Sequence, residues 1–537
     1  MKAAFHIARK EFRLHLRSSR FLLTMLLCLL FMPFILFIGT DNYLTRQNIC
    51  QQREATADSL MKNIYTWSQV RPLVIKKTEP LSIFSEGVTP NMGIHNQVLV
   101  GTYPLLPHSF STEDYSILGL KLVQVRGDTG NNDNIFLNTF SYTDFMGMIG
   151  MIFSLLALVF SYDTFSREKE TGTLRMVFSS PVGRLSFLFG KIGGVCMVLV
   201  PPVLFCFISM VGYLLYADVS LQITDWNGIL LLLLLTFSFI LVFTLLGIFI
   251  SLLVPRSEQA LTISILFWMG IVFILPPVSG YLAETIAPLP LYRNVESKLG
   301  ALNRERNQKI EELRNKYEKE EKVTSTMALF NEMGNDGSMD KWGMTKSYAH
   351  AVLRTQKESE PLRVAYAERK WKLQKEYLEE LQRQIRLRHW IACLSPLQVF
   401  QETAQRLCRT APESYLSYME EVRAFRQQIL DFFTKNRLFD AYSYFTIQNE
   451  SDFMNDEEIE KLYQSYDSWS DEKKNNFMET LKHRTPLNTG YLPRFTQQTA
   501  TVGEQGKSFL GGFLFFVAAT LVLICLTKQL SARYDIR

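Results

Sequence analysis

The sequence predicts an α-helical polytopic membrane protein with six transmembrane helices, both termini cytoplasmic, a small mixed α/β extracytoplasmic domain and a larger, mainly helical one. Three observations carry that expectation. Six apolar runs, near 21–39, 145–162, 192–216, 228–254, 260–282 and 508–527, are long enough to cross a hydrocarbon core about 30 Å thick. Lys and Arg crowd alternate short flanks of those runs. Two hydrophilic stretches, 41–142 and 283–507, interrupt the series.

Residues 1–20, MKAAFHIARKEFRLHLRSSR, read as an interfacial amphipathic helix. Phe5, Ala8, Phe12 and Leu16 form one stripe, and Arg9, Arg13, Arg17 and Arg20 form another beside it. The same pattern also serves as a plain positive-inside anchor. The span at 21–40 is too long for a cleavable signal peptide, and no small-residue cleavage site follows Thr40. Orientation follows from the flanks. Arg167, Lys169, Arg175, Arg184 and Lys191 lie between spans two (143–163) and three (192–216). Arg256 sits between spans four (228–254) and five (260–282), and Lys528, Arg533 and Arg537 lie in the tail at 528–537. The loop ADVSLQITDWN at 217–227 has no Lys or Arg. Both termini therefore face the cytoplasm, and the two long segments lie outside, since long loops translocate largely regardless of charge. The net charge of +5 belongs to this asymmetry and implies no nucleic-acid partner.

The first outer segment, 41–142, carries strand-like pieces broken by turn formers: LVIKKTEPLSIF, QVLVGTYPLLP and ILGLKLVQVRGDTGNNDN. The second, 283–507, reads as helical. Ala367, Trp371, Gln374, Leu378, Leu381 and Ile385 alternate spacings of three and four, a heptad seam with one polar interruption. A rougher stripe, Val295, Leu299, Leu302, Ile310, Leu313 and Tyr317, precedes it, and GNDGSMD separates the two. This predicts a long antiparallel helical hairpin held together by the seam. Further helices are expected near 412–435 and 456–482, before LPRF and the last span at 508–527. Of the seven cysteines, Cys50, Cys393 and Cys408 fall outside the spans, so at most one internal disulfide is available.

Catalytic patterns are absent. No GxxxxGK[ST] occurs, since Gly190-Lys191 is followed by Ile192, and no HExxH, GxSxG or paired-His spacing appears. His95, His108, His389 and His483 read as surface or hydrogen-bonded structural residues. Mid-span ionisable residues of the kind that couple ions in secondary transporters are also lacking; Asp144, Asp163 and Glu284 fall near span ends. Whatever drives the protein is applied from outside the bilayer.

The stretch 164–191 stands out. Glu168, Glu170 and Thr171 give a polar face, Gly172-Thr173 a break, and Leu174, Met176, Val177 and Phe178 an apolar face; Pro181 stops the helix. A short helix of this kind, lying along the membrane between two spans, reads as a docking knob, though an ordinary re-entry turn has the same outline. DTFSREKETGTLRMVFSSPVGRLSFLFGK resembles the first cytoplasmic segment of ABC-2-type ABC transporter permeases, through Glu168, Glu170, Gly172, Thr173, Leu174, Ser179, Pro181, Val182, Arg184, Gly190 and Lys191. IARKEFRLHLRSSR, with Arg9, Phe12, Arg13 and Leu16, is similar to that family's interfacial helix. LSPLQVFQETAQRLCRT, LPRF and RYDIR resemble a subgroup with large extracytoplasmic insertions, related to gliding-motility and copper-enzyme-maturation permeases.

The resemblance implies a transmembrane permease subunit, not itself an enzyme. Two copies of a separate cytoplasmic ATPase would bind ATP and Mg, with no cofactor in this chain. A second permease, identical or paralogous, would complete the pore in a bacterial inner membrane, among its lipids. Glu168, Glu170, Gly172, Thr173, Leu174, Pro181 and Arg184 would then form the coupling helix seated on the ATPase. The hairpin points to an extracytoplasmic protein partner. The competing readings are a membrane scaffold that binds extracytoplasmic proteins without transport, and a membrane-embedded hydrolase, for which no nucleophile–base set is apparent.

Overall fold

A computed structural model describes residues 2–62, 64–70, 73–87, 95–97, 144–174, 183–289, 292–323, 330–333, 339–342, 345–466, 468–482, 486–498 and 501–533. Among them, six helices are long and apolar enough to cross a membrane. A short helix α1 (Lys2–Leu16) leads into α2 (Ser19–Lys62). Next come α3 (Phe145–Ser161), the five-residue α4 (Ser166–Glu170), α5 (Arg184–Tyr216) and α6 (Ile223–Leu253). The fifth span is composite: α7 (Ser257–Met269), a π-helical turn (Gly270–Ile274) and α8 (Leu275–Ile286). The last is α15 (Val502–Arg533).

The first span differs from expectation in length. Its 44 residues make α2 about 66 Å long, so the helix continues some twenty residues past the apolar run and builds the start of the first hydrophilic segment. Only short strands follow among the described residues: β1 (Leu73–Ile75) pairs antiparallel with β2 (His95–Gln97). The rest of the strand-like sequence at 98–134 lies outside the described residues.

Helices α9 (Tyr292–Glu320) and α10 (Lys346–Ala392) pack together as a hairpin, with a two-stranded ladder of β3 (Phe330–Met333) and β4 (Met339–Trp342) between them in sequence. At 47 residues α10 is about 70 Å long. Its seam is not confined to the hairpin. Trp371, Leu378 and Leu381 are buried in one core with Val295 of α9 and with Leu416, Val422, Phe425 and Ile429 of α12 (Pro412–Lys435). Ala367 is also buried, while Ile385 packs at the edge of that core. Helices α13 (Asp456–Tyr466) and α14 (Asp471–Lys482) follow.

The segment 394–410 takes a place that its composition does not suggest. It forms α11 (Pro396–Leu407), which packs against α3, α6 and α15 inside the spanning bundle. Leu397, Phe400, Ala404 and Leu407 belong to the bundle core, and the Phe400 ring stacks on Phe239 of α6 with centroids 4.4 Å apart. A Cβ at Gly512 of α15 would come within 2.1 Å of the Thr403 hydroxyl, so only glycine lets α15 approach α11 this closely.

The π turn explains how the re-entry is tolerated. Leu275 donates its N–H to Gly270 O in the wide π register, and Pro276 has no N–H for the next carbonyl, Ile271 O. The Ser395 hydroxyl, in the turn between α10 and α11, donates to that carbonyl at 3.2 Å. Non-helical backbone inside a bundle of spans persists only where protein satisfies it, and here the Ser395 turn supplies the donor that Pro276 lacks. Gln398 of α11 donates to the Ser279 hydroxyl at 3.1 Å in the same way. Pro276 and Pro277 lie within the fifth span, because α8 runs on to Ile286.

Candidate coupling site

The end of the bundle that carries α1 gathers the described residues of the 164–191 motif. Helix α1 lies across the start of α5, and glycines make room for it. A Cβ at Gly190 would meet the Ile7 side chain at 2.7 Å and Ala4 O at 2.9 Å; one at Gly194 would meet Glu11 Cβ at 2.5 Å. Ala8 is buried in this contact and Phe12 packs against the bundle core, whereas Leu16 is half-buried and Phe5 is exposed. Arg9 and Arg13 are exposed on the opposite side.

Lys191 lies between α1 and α4. Its ammonium, 5% exposed, reaches Glu11 Oε1 at 2.8 Å and Glu168 Oε1 at 2.5 Å. Two carboxylates share one buried cation, and the arrangement ties α1, α4 and α5 together. His15, one turn further along α1, sits 3.8 Å from Glu11; burial holds its imidazole pKa below the ordinary value despite that carboxylate.

The remaining residues of α4 fasten to the other span ends. Lys169 donates to the carbonyls of Ser251 at 3.3 Å, Leu252 at 2.5 Å and Val254 at 3.3 Å, filling the orphan acceptors at the C-terminus of α6. Ser251 Oγ accepts the backbone N–H groups of Phe165 and Ser166, both at 2.9 Å. Glu170 accepts from Ser257 N–H at 2.8 Å and from its hydroxyl at 2.9 Å, which caps the start of α7. At the start of α2, Arg20 donates to Asp163 at 3.0 Å and to the Tyr162 hydroxyl at 2.9 Å.

Both motif carboxylates have partners within the bundle: Glu168 neutralises Lys191, and Glu170, which stays exposed, caps α7. No spacing cue along the chain points to these partners, which lie 23 and 87 positions away. Arg167 and Glu170 of α4 and Thr171, Gly172 and Thr173 of the turn after it are exposed, and Gly172 takes φ +71°, a left-handed conformation that favours glycine. Leu174, by contrast, is buried in the bundle core. Arg184 donates to Ser531 O at 3.2 Å, joining α5 to the end of α15. Pro181 lies outside the described residues, as do Met176, Val177, Phe178, Ser179 and Val182.

No curated protein matches the chain. A profile for a domain of unknown function, DUF3526, matches residues 357–454, which take in most of α10, all of α11 and α12. The profile of the ABC-2 family transporter protein matches residues 5–359, from the interfacial helix through five of the six spans to the hairpin. The chain belongs to the ABC-2 family of transporters, as a multi-pass membrane permease subunit.

Proposed function

We propose that this permease converts ATP hydrolysis on two copies of a separate cytoplasmic ATPase into motion of its extracytoplasmic helices, working beside a second permease, identical or paralogous, in a bacterial inner membrane. The ATPase binds ATP and Mg, and the exposed turn Arg167–Thr173 docks on it. In this reading the α1 end of the bundle and both termini face the cytoplasm, and the hairpin stands outside.

The observation that carries the mechanical reading is the position of α11. It is packed inside the bundle and joined by a three-residue turn to α10, a rod of about 70 Å. A change in how the spans pack around α11 must move the base of that rod. Moving a cargo through a pore requires no such projection.

A cysteine pair at Phe239 and Phe400, in a background lacking the native cysteines, tests this. Oxidation fixes α11 to α6 where the two rings now stack. The expected result is intact complex assembly and retained ATP binding, with loss of cellular function that a reductant restores. Full function in the oxidised protein would exclude motion of α11 and return the chain to a plain exporter or a static scaffold.

A further inference from the structure

The bundle end opposite α1 holds a cavity of about 820 Å³. One wall is the part of α2 beyond its apolar run. Tyr43, Gln47, Gln51, Glu54, Asp58 and Met61 all line it, at spacings of three or four. Eighteen helical residues separate the first from the last, so this wall is about 27 Å long. Other sides come from the irregular segment 493–497, the start of α6 and the end of α11.

We propose that this groove binds an extended peptide segment of a partner protein. Length is the first argument. A wall of about 27 Å accommodates roughly eight residues of extended chain at about 3.3 Å each, far more than a single ion or small solute uses. Chemistry is the second. The lining carries both signs, with Glu54 and Asp58 on α2 and Lys77, Arg409 and Arg494 on other elements. Amides of Gln47 and Gln51 offer a donor and an acceptor each, the complement of a peptide unit. Met61, Leu492 and Phe495, which pack in one cluster, give an apolar side chain of the segment a place to sit. An acyl chain would leave Asp58 and Arg494 of the lining without polar partners.

Arg409 orders one rim of the groove. It donates to Glu79 at 3.0 Å and to Gln498 O at 2.6 Å, and Lys77 N–H donates to Gln497 Oε1 at 2.8 Å. The segment beside 493–497 is thereby fixed to the bundle, and the opening is held without a ligand. The orientation proposed above places the partner outside the membrane; the binding chemistry itself does not depend on that orientation or on ATPase coupling.

The test uses the full chain in detergent and fluorescently labelled octapeptide pools of mixed-sign, all-acidic and all-basic composition. Anisotropy should show saturable binding of the mixed-sign pool. Gln51→Trp, which fills the groove from an exposed position, should weaken it at least about tenfold, while Thr45→Trp, exposed on the opposite face of α2, should not. Arg494→Glu should shift preference toward the all-basic pool. The proposal fails if no pool saturates, if Gln51→Trp binds as well as the parent, or if phosphatidylethanolamine bicelles displace the peptide competitively, which would mark a lipid site.

Discussion

Lys191→Met is the sharpest test of the three-helix tie. Methionine keeps most of the volume of the lysine stem but removes the charge, leaving Glu11 and Glu168 facing one another. Their side chains are 14% and 21% exposed around a lysine that is 5% exposed. Removing one partner from a buried ion pair costs about 3–5 kcal/mol. The partial exposure of both acids places this case at the lower end, about 3 kcal/mol. Because the lysine joins α1 to the bundle, the cost should appear as local release of α1. Hydrogen exchange in lipid nanodiscs reads it directly: 3 kcal/mol corresponds to about a hundredfold faster exchange of α1 amides, at 1.4 kcal/mol per decade. The triple change Lys191→Met, Glu11→Gln and Glu168→Gln removes every charge and should recover most of the protection. Exchange in Lys191→Met within about threefold of the parent would refute the reasoning, since α1 would then be held by the glycine-mediated packing alone.

Three further outcomes follow from the packing. Gly512→Leu should lower the thermal midpoint in nanodiscs, at an overpacking cost of about 1–3 kcal/mol, because even a Cβ would meet the Thr403 hydroxyl at 2.1 Å; the double change with Thr403→Gly should restore part of the midpoint. Ser395→Ala should cost about 1–3 kcal/mol by leaving Ile271 O buried without its donor, whereas Ser395→Thr should keep the bond and the midpoint. Burial pushes the carboxyl of Asp144, the residue that caps α3 just before the span begins, up to about 7, although it accepts from Gly147 N–H, Ser85 Oγ and Glu86 N–H. A raised folded pKa means this contribution is fully present below the unfolded value of about 3.9 and is lost as pH rises from there through about 7, so the midpoint should fall between about pH 4 and pH 7 and level off above that, and Asp144→Asn should flatten that slope.

The spans were legible because about twenty apolar residues in a row have few alternatives to a membrane helix. The hairpin was legible because its two stripes repeat at helical spacing. Three features were hidden, each for a physical reason. The continuation of α2 past Thr40 is polar, and no Gly or Pro marks a stop before Lys62, so hydropathy falls while the helix does not end. Helix α11 carries Gln398, Gln401, Thr403 and Gln405 among its apolar residues, a composition that reads as a soluble amphipathic helix. The turn that leads into it meets a carbonyl freed by Pro276, more than a hundred positions away in sequence. The motif acids stand out in the sequence, but their partners are set by tertiary packing at the helix ends, which spacing along the chain does not encode.

Those partners also bear on how movement at one end of the bundle reaches the other. Helix α7 begins at Ser257, which Glu170 caps, and the π turn that follows it presents Ile271 O to Ser395. Fourteen positions separate the two bonds, about 21 Å along α7 and the start of the π turn. Each bond contributes on the order of 1 kcal/mol, small against the packing of a buried helix. Yet α7 is not a buried helix: Ile263, Leu266, Phe267 and Met269 are all exposed on it. A helix with little packing of its own takes its position from what holds its ends. Glu170→Gln tests that inference, because a neutral amide oxygen still accepts from Ser257 but binds it more weakly. If α7 transmits the position of α4, this change should loosen the Ser395 turn, seen as faster exchange of the amides at 393–398, while the α6 amides near Ser251 stay protected. Loosening confined to the first turn of α7 would show that the fifth span does not link the two ends.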